Sequence, residues 1–195
     1  MTKTILAALV FAFAVNANAE SLKLDSKTSS VAWTGFKKIG SSHNGGMTVK
    51  EGQIETDKKG AITGGNVVID MASMTNADVK DPVDNKKLVG HLSSADFFDV
   101  AKFPTSTFKI TSVTKKAGNE YTVKGDFTMI GKTQPIEFPA TITTDKGVTT
   151  GVAKVKIDRT KFGLKYGSGS FFKELAGDKI ISDEFALDLK LVAAK

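Results

Sequence analysis

The chain has 195 residues, no cysteine and a formal net charge of +6, and Arg159 is its only arginine. The length fits one domain with a sizeable core, and the lack of cysteine excludes disulfides, thiolate metal sites and thiol nucleophiles. Nucleic-acid surfaces more often combine clustered arginine with aromatic residues, so we expect the lysines to be solvated and no nucleic acid to be bound.

The first 19 residues have the three regions of a secretory signal peptide. Lys3 supplies the positive charge, Ile5–Val15 is an unbroken apolar run, and Ala17-Asn18-Ala19 matches the small-residue cleavage pattern. The apolar run is shorter than the roughly 20 residues that span a bilayer. We therefore expect cleavage after Ala19, a mature domain of residues 20–195 and a periplasmic location.

Alternation of apolar and polar residues dominates the mature chain and predicts seven or eight antiparallel strands, each with one dry face. Residues 121–129 show the pattern most clearly, with Tyr121, Val123 and Phe127 on one parity. The same alternation recurs in residues 136–142, 153–157 and 181–191. Turn signals at Asp57–Gly60, Lys116–Asn119 and Asp145–Gly147 separate the runs.

Residues 74–98 interrupt this pattern. Asp84–Leu92 predicts a short helix, and Ser94–Phe98 predicts a further turn. Strand periodicity leaves a sandwich and a closed barrel open. The helical insertion and the lysine-dense strand faces favour a soluble barrel over a membrane barrel, with at most transient contact with anionic lipid headgroups.

Candidate catalytic groups are sparse. His43 and His91 are far apart in the sequence and belong to no metal-binding spacing, so we expect no metal. Gly167-Ser168-Gly169-Ser170 lacks the final glycine of a nucleophile elbow and is interpreted as a loop. These patterns do not indicate an enzyme.

One pair of charged residues falls on the inward parity. Arg159 continues the inner face of residues 153–157, and Asp183 shares the face of Ile181 and Phe185. A buried arginine needs a partner, so we expect an ion pair near one barrel end. Its role is either structural or recognition of a ligand headgroup, because the guanidinium fork suits phosphate and carboxylate.

Five motifs occur in the same order as in a known family. They are Ser30–Lys37 with Ser42–Gly46, His91–Val100 with Phe103–Thr105, Gly125–Thr133, Ile157–Gly163 and Asp183–Phe185. Together they resemble the YceI-like family of lipocalin-like, polyisoprenoid-binding periplasmic proteins over essentially the whole mature chain.

The resemblance implies an all-β fold, an eight-stranded antiparallel lipocalin-like barrel with a short helical insertion. It implies an apolar channel for an isoprenoid chain, such as a quinone or polyprenyl phosphate, or for an acyl lipid. It implies no cofactor, no metal and no catalytic residue. It places His91–Phe103 near the barrel mouth, and we expect Ser42–Gly46 to form a turn.

We therefore expect a periplasmic carrier of a long apolar lipid. The alternatives are an enzyme that acts on such a lipid and a ligand-free interaction module, and a homodimer is possible. The expected ligand-binding residues comprise wall residues and mouth residues. The wall residues are Trp33, Phe108, Phe127, Met129, Phe138, Val155 and Phe185, and the mouth residues are His43, Asn44, Phe97, Phe98, Arg159 and Asp183.

Overall fold

The computed structural model of the protein describes residues 20–195, so the predicted signal peptide lies outside the described residues. These residues form nine strands and one α-helix. The helix α1 spans Pro82–Ser93. The strands are β1 (Glu20–Leu24), β2 (Ser30–Lys37), β3 (Ser42–Thr56), β4 (Ile62–Asp70), β5 (Thr105–Lys115), β6 (Glu120–Met129), β7 (Lys132–Asp145), β8 (Val148–Asp158) and β9 (Ile181–Ala194).

Strands β2 to β9 close into the predicted eight-stranded antiparallel barrel, because β2 pairs with both β3 and β9 and β4 pairs with both β3 and β5. The short β1 is a ninth strand that pairs with the last residues of β3 and β9 at one end. The alternating residues of β6 and β9 point as predicted, so that Val123, Phe127 and Leu187 are buried.

The two barrel ends differ. Tight turns join β3 to β4, β5 to β6 and β7 to β8 at the end where β1 lies, which we call the far end. The longer segments 71–104 and 159–180 lie at the opposite end, the mouth. Helix α1 belongs to the mouth, begins two residues before the predicted helix and ends one residue after it. None of its residues is buried, so it lies on the barrel without entering the core.

The expected turn at Ser42–Gly46 is wrong, because these residues begin β3 and pair with β2 from Ser42 to Met47. Gly45 is required by packing. A Cβ on Gly45 would lie 1.8 Å from the carbonyl oxygen of Thr75, so the segment after β4 can rest against β3 only where β3 has no side chain.

The barrel wall is split between β7 and β8. Their pairing runs from Asp145–Val148 to Ala140–Ala153 and stops, although both strands continue toward the mouth. The amide of Ile142 donates to the carbonyl oxygen of Asn119, just before β6. Since backbone N–H groups alternate in direction along a strand, the N–H groups of the odd-numbered residues of β7 point toward β8. Pro135 and Pro139 occupy two of these positions and have no N–H to donate, as in an edge strand.

No helix within residues 20–195 is long and apolar enough to cross a membrane.

Candidate functional site

A cavity occupies the half of the barrel toward the far end. Phe108 and Phe138 form part of its wall, with ring centroids 5.5 Å apart. No polar atom is exposed to this deep cavity, and Gly151 leaves open space beside it, since a Cβ there would meet no atom within 4 Å.

A second cavity lies toward the mouth. Trp33, Met129 and Phe185 line it from the strands, and Phe97 and Phe98 line it from the turn after α1. This mouth cavity shares Ile69, Phe127 and Leu187 with the deep cavity. These three side chains therefore form the partition between two adjacent apolar spaces along the barrel axis.

The segment that follows β4 covers part of the mouth. Met71 and Met74 are buried and line the mouth cavity from above. The Trp33 indole Nε1 donates to the carbonyl oxygen of Thr75 at 3.1 Å, and the Thr75 amide donates to the carbonyl oxygen of Gly46 at 2.9 Å. These bonds fix the segment against β2 and β3, so the mouth has a hydrogen-bonded roof.

An aromatic cluster closes another part of the mouth. The His91 ring at the end of α1 packs edge-to-face against Phe97 at 5.4 Å and against Tyr166 at 4.8 Å between ring centroids. Phe97 lines the mouth cavity, whereas Tyr166 is 43% exposed. The cluster thus connects the helix to the segment between β8 and β9 at the surface of the mouth.

Arg159 is 3% exposed and contacts the mouth cavity. Its guanidinium donates four hydrogen bonds to main-chain carbonyl oxygens, and the acceptors are Leu164, Tyr166, Ile181 and Ser182. Burial lowers the pKa of Arg159, although the nearby Asp183 and Asp158 act in the opposite direction. The side chain remains a cation that ties segment 164–166 to the start of β9.

The expected pair between Arg159 and Asp183 is present, with 3.8 Å between Nη2 and Oδ1. Burial acts to raise the pKa of Asp183, but the Ser168 and Ser170 hydroxyl groups and the Arg159 charge outweigh it and leave that pKa below its ordinary value. Since four of the five guanidinium N–H groups already bind carbonyl oxygens, the geometry favours the structural role over headgroup recognition.

His43 belongs to a polar network that lies outside both cavities. Its Nδ1 lies 2.8 Å from Oδ2 of Asp78, and the other oxygen of Asp78 accepts from the Asn44 amide at 2.8 Å and from the Asn76 side chain at 2.6 Å. Burial acts to raise the pKa of Asp78, but these hydrogen bonds outweigh it and lower the pKa to about 2. The network holds segment 74–81 to β3.

The cavities bring together ten of the thirteen residues expected to bind a ligand. Within the described chain, His43, Asn44 and Asp183 do not contact either cavity. The deep cavity is lined by Phe108, Phe127, Phe138 and Val155, and the mouth cavity is lined by Trp33, Phe97, Phe98, Phe127, Met129, Arg159 and Phe185.

Sequence reasoning missed several residues at the site. Met71, Met74 and Leu92 line the mouth cavity from segments with no strand periodicity, and Gly151 lines the deep cavity. The parity of β8 could have identified Gly151, because it lies two residues before Ala153 on the same face. The two methionines gave no comparable signal.

Among residues 20–195, no three His, Asp or Glu side chains are grouped so that they could hold a metal ion.

A family model described as the YceI-like domain matches residues 22–193. A protein of Escherichia coli O157:H7 named YceI is 39% identical over 100 residues, which cover 48% of this chain and 51% of that protein. A UPF0312 protein of Vibrio cholerae serotype O1 is 50% identical over 46 residues, which cover 24% of each chain. The chain thus spans about half or less of the curated relatives it matches.

Two solved structures share the fold. BcnA of Burkholderia cenocepacia superposes with a TM-score of 0.69 at 25% identity and covers 88% of this chain and 99% of its own. A polyisoprenoid binding domain from Saccharophagus degradans, implicated in plant cell wall breakdown, gives a TM-score of 0.63 at 15% identity and covers 89% of this chain and 97% of its own. Both comparisons support the barrel architecture predicted from the sequence.

Proposed function

Because the chain belongs to the YceI-like family, we propose that it binds a long-chain isoprenoid or a related apolar lipid inside the barrel and carries it through the periplasm. One observation carries the proposal. The barrel interior holds two adjacent cavities, and no polar atom is exposed to the deeper one. The Saccharophagus degradans domain, described as polyisoprenoid binding, suggests the same ligand class.

The shape and chemistry of the interior suit a hydrocarbon tail. Burial of apolar surface gives about 25 cal/mol per Å², and a hydrocarbon tail needs no hydrogen bonds along its length. The tail would occupy the deep cavity, and Phe127 would pack beside it at the partition. Charged side chains line only the mouth cavity, at Arg159 and Glu184, whereas Thr149 is the one polar side chain in the lining of the deep cavity. The headgroup would therefore lie at the mouth.

A ligand-free module is less consistent with this interior, because a filled barrel would not leave two adjacent apolar cavities between its strands. An enzyme would need a reactive group beside the ligand. His43 pairs with Asp78, but neither His43 nor His91 lines either cavity. The carrier function therefore has the stronger support.

The first experiment is native mass spectrometry of protein expressed from the full sequence and purified from the periplasmic fraction. We expect a mature mass that begins at Glu20 and a bound organic component that denaturation releases. Extraction should identify an isoprenoid or acyl tail at about one molecule per chain. Protein that is empty and takes up no added quinone, polyprenyl phosphate or fatty acid would overturn the proposal.

A matched pair of variants shows where the ligand lies. Gly151→Phe places a ring in open space of the deep cavity, whereas Lys154→Phe places the same ring on the outer face of β8, where the lysine side chain is 88% exposed. We expect the first variant to fold and to lose at least about tenfold in ligand affinity. The second should bind as the parent protein does. Equal ligand content in both variants would place the ligand outside the deep cavity.

A further inference from the structure

The mouth carries an exposed aromatic surface that the barrel core does not use. We call it the mouth patch and define it as Phe36, Ile39, Tyr166, Phe171 and Phe172. Their exposed fractions range from 40% for Phe36 and Phe172 to 62% for Ile39. Among residues 20–195, the remaining exposed large apolar side chains are three valines, so every exposed aromatic side chain lies in this patch.

Two segments of the chain are joined to form the patch. The Lys38 amide donates to the carbonyl oxygen of Ile180 at 2.9 Å, and a Cβ on Gly177 would lie 2.8 Å from Cδ1 of Ile39. The tip of the β2–β3 hairpin thus contacts the segment between β8 and β9. Phe36 both belongs to the patch and lines the mouth cavity, so the patch is continuous with the edge of that cavity.

The aromatic side chains are held outward by a buried anchor. Ser168 is fully buried, and its carbonyl oxygen accepts from the amides of Phe171 at 3.1 Å and Phe172 at 2.9 Å. Arg159 binds the carbonyl oxygen of Tyr166 in the same segment at 2.8 Å. A segment fixed from below by two buried residues presents its phenylalanines to solvent, where their exposure has no structural benefit.

The two segments that carry the patch have a net positive charge, although Asp183 and Glu184 follow the second segment closely. Residues 36–41 and 163–180 contain five lysines, all exposed, and two carboxylates, which gives a net charge of +3. The lysines are Lys37, Lys38, Lys165, Lys173 and Lys179. Lys165 places its Nζ 4.5 Å from the ring centroid of Phe171, so cation and aromatic ring occupy one surface. Aromatic side chains flanked by lysines are the combination that binds the interface of an anionic bilayer.

We infer that the mouth patch docks the protein on an anionic lipid bilayer, with the barrel mouth toward the membrane. The inference rests on the proposed function, since docking would place the mouth cavity where an apolar lipid leaves or enters the bilayer. The phenylalanines would enter the headgroup region, and the lysines would lie near the lipid phosphates.

Vesicle co-sedimentation tests the inference with protein expressed from the full sequence. We expect binding to phosphatidylcholine vesicles that contain phosphatidylglycerol, and much weaker binding to phosphatidylcholine alone. Salt at about 1 M, where the Debye length is about 3 Å, should release most of the bound protein. Absence of binding to the anionic vesicles would overturn the inference.

Variants localise the surface. Phe171→Ser combined with Phe172→Ser should weaken vesicle binding at least about tenfold, whereas Val148→Ser removes an exposed apolar side chain at the far end and should have no effect. Lys38→Glu with Lys173→Glu should likewise weaken vesicle binding at least about tenfold. Lys58→Glu with Lys59→Glu makes the same charge change in the far-end hairpin and should weaken binding less. Equal losses in the mouth and far-end variants would overturn the assignment.

Two further measurements distinguish membrane docking from lipid binding and from dimerisation. Uptake of a short-chain isoprenol from solution should be unchanged in the Phe171→Ser/Phe172→Ser variant, because neither residue lines a cavity. Wild-type protein that docks but takes up no lipid would refute the proposed function and leave docking intact. A dimer in solution that this double variant dissociates, without vesicle binding by the wild type, would assign the patch to a second copy of the chain.

Discussion

Gly45 in β3 lies directly against Thr75 in the segment that covers the barrel mouth. A Cβ at position 45 would come within 1.8 Å of the Thr75 carbonyl oxygen and within 2.8 Å of Nε1 of Trp33, which donates to that same oxygen. The neighbouring Gly46 is different, since a Cβ there would have its nearest contact at 3.7 Å, with Oγ1 of Thr75. One glycine is therefore required by the roof of the mouth and the other is not.

Gly45→Ala should destabilise the protein by about 2–4 kcal/mol, because the backbone of Thr75 must move and the Trp33 hydrogen bond is lost. Gly46→Ala should change stability by less than about 1 kcal/mol, since its Cβ would make only ordinary contacts. Urea denaturation of the two variants measures the difference. Equal midpoints would show that segment 74–77 is not packed against β3.

The sequence predicted the barrel wall much better than its roof. In β6 the alternation identified Val123, Phe127 and Met129 as buried, because strand geometry alone determines which face each residue takes. Gly45 was misread because glycine indicates both a turn and a close backbone approach. The contact that distinguishes the two comes from Thr75, 30 residues later in the chain.

The same limit applies to the buried arginine. Its inward position and its partner Asp183 followed from strand parity and from the cost of burying a charge. Its four carbonyl acceptors did not follow, because any residue has a carbonyl group and the sequence carries no signal for which ones converge. Likewise, the split between β7 and β8 was encoded by Pro135 and Pro139, whose positions become meaningful only when the register of β7 is known.

Phe127 should control the length of the bound tail, because it is 4% exposed, belongs to the partition and packs against Phe162 at 5.5 Å between centroids. Phe127→Leu would open the partition, with a stability loss of about 1–3 kcal/mol. Competition among isoprenols of increasing length should then shift in favour of longer chains. Phe108→Leu enlarges the deep cavity alone and is the control. An identical preference in both variants would refute the partition.

Arg159→Met should destabilise the protein by about 3–5 kcal/mol, since four carbonyl oxygens and Asp183 lose their cationic partner. Asp183→Asn should cost less, because the arginine keeps its carbonyl acceptors. Urea denaturation and ligand content by mass spectrometry are measured together. If Arg159→Met lost ligand while its unfolding midpoint stayed unchanged, the headgroup role would replace the structural one.

Asp78 should contribute to acid sensitivity. Its pKa is about 2 in the folded protein and near 3.8 in the unfolded chain, so its stabilising effect is complete above about pH 4 and is lost as the pH falls toward 2. Asp78→Asn should reduce stability by about 1–3 kcal/mol at pH 6 and by progressively less below pH 4. Thermal unfolding of the parent protein and the Asp78→Asn variant across this pH range measures how their stabilities converge. A stability difference between the two proteins that stays constant down to pH 2 would contradict the pKa of Asp78.

The split in the barrel wall should be visible in amide hydrogen exchange. On β8, Val152 pairs with Thr141 of β7, whereas Lys156 lies beyond the end of the ladder and its amide points toward a part of β7 with which β8 is not paired. We expect the Lys156 amide to exchange at least about tenfold faster than the Val152 amide, because its opening requires no ladder bond to break.

Both residues remain paired with β9, Val152 with Lys190 and Lys156 with Ala186, so fraying of β8 as a whole would accelerate both amides together. Pro139→Ala restores a donor at the end of the ladder and should extend protection toward Lys156. Comparable protection of the two amides in the parent protein would mean that the wall is closed along its full height.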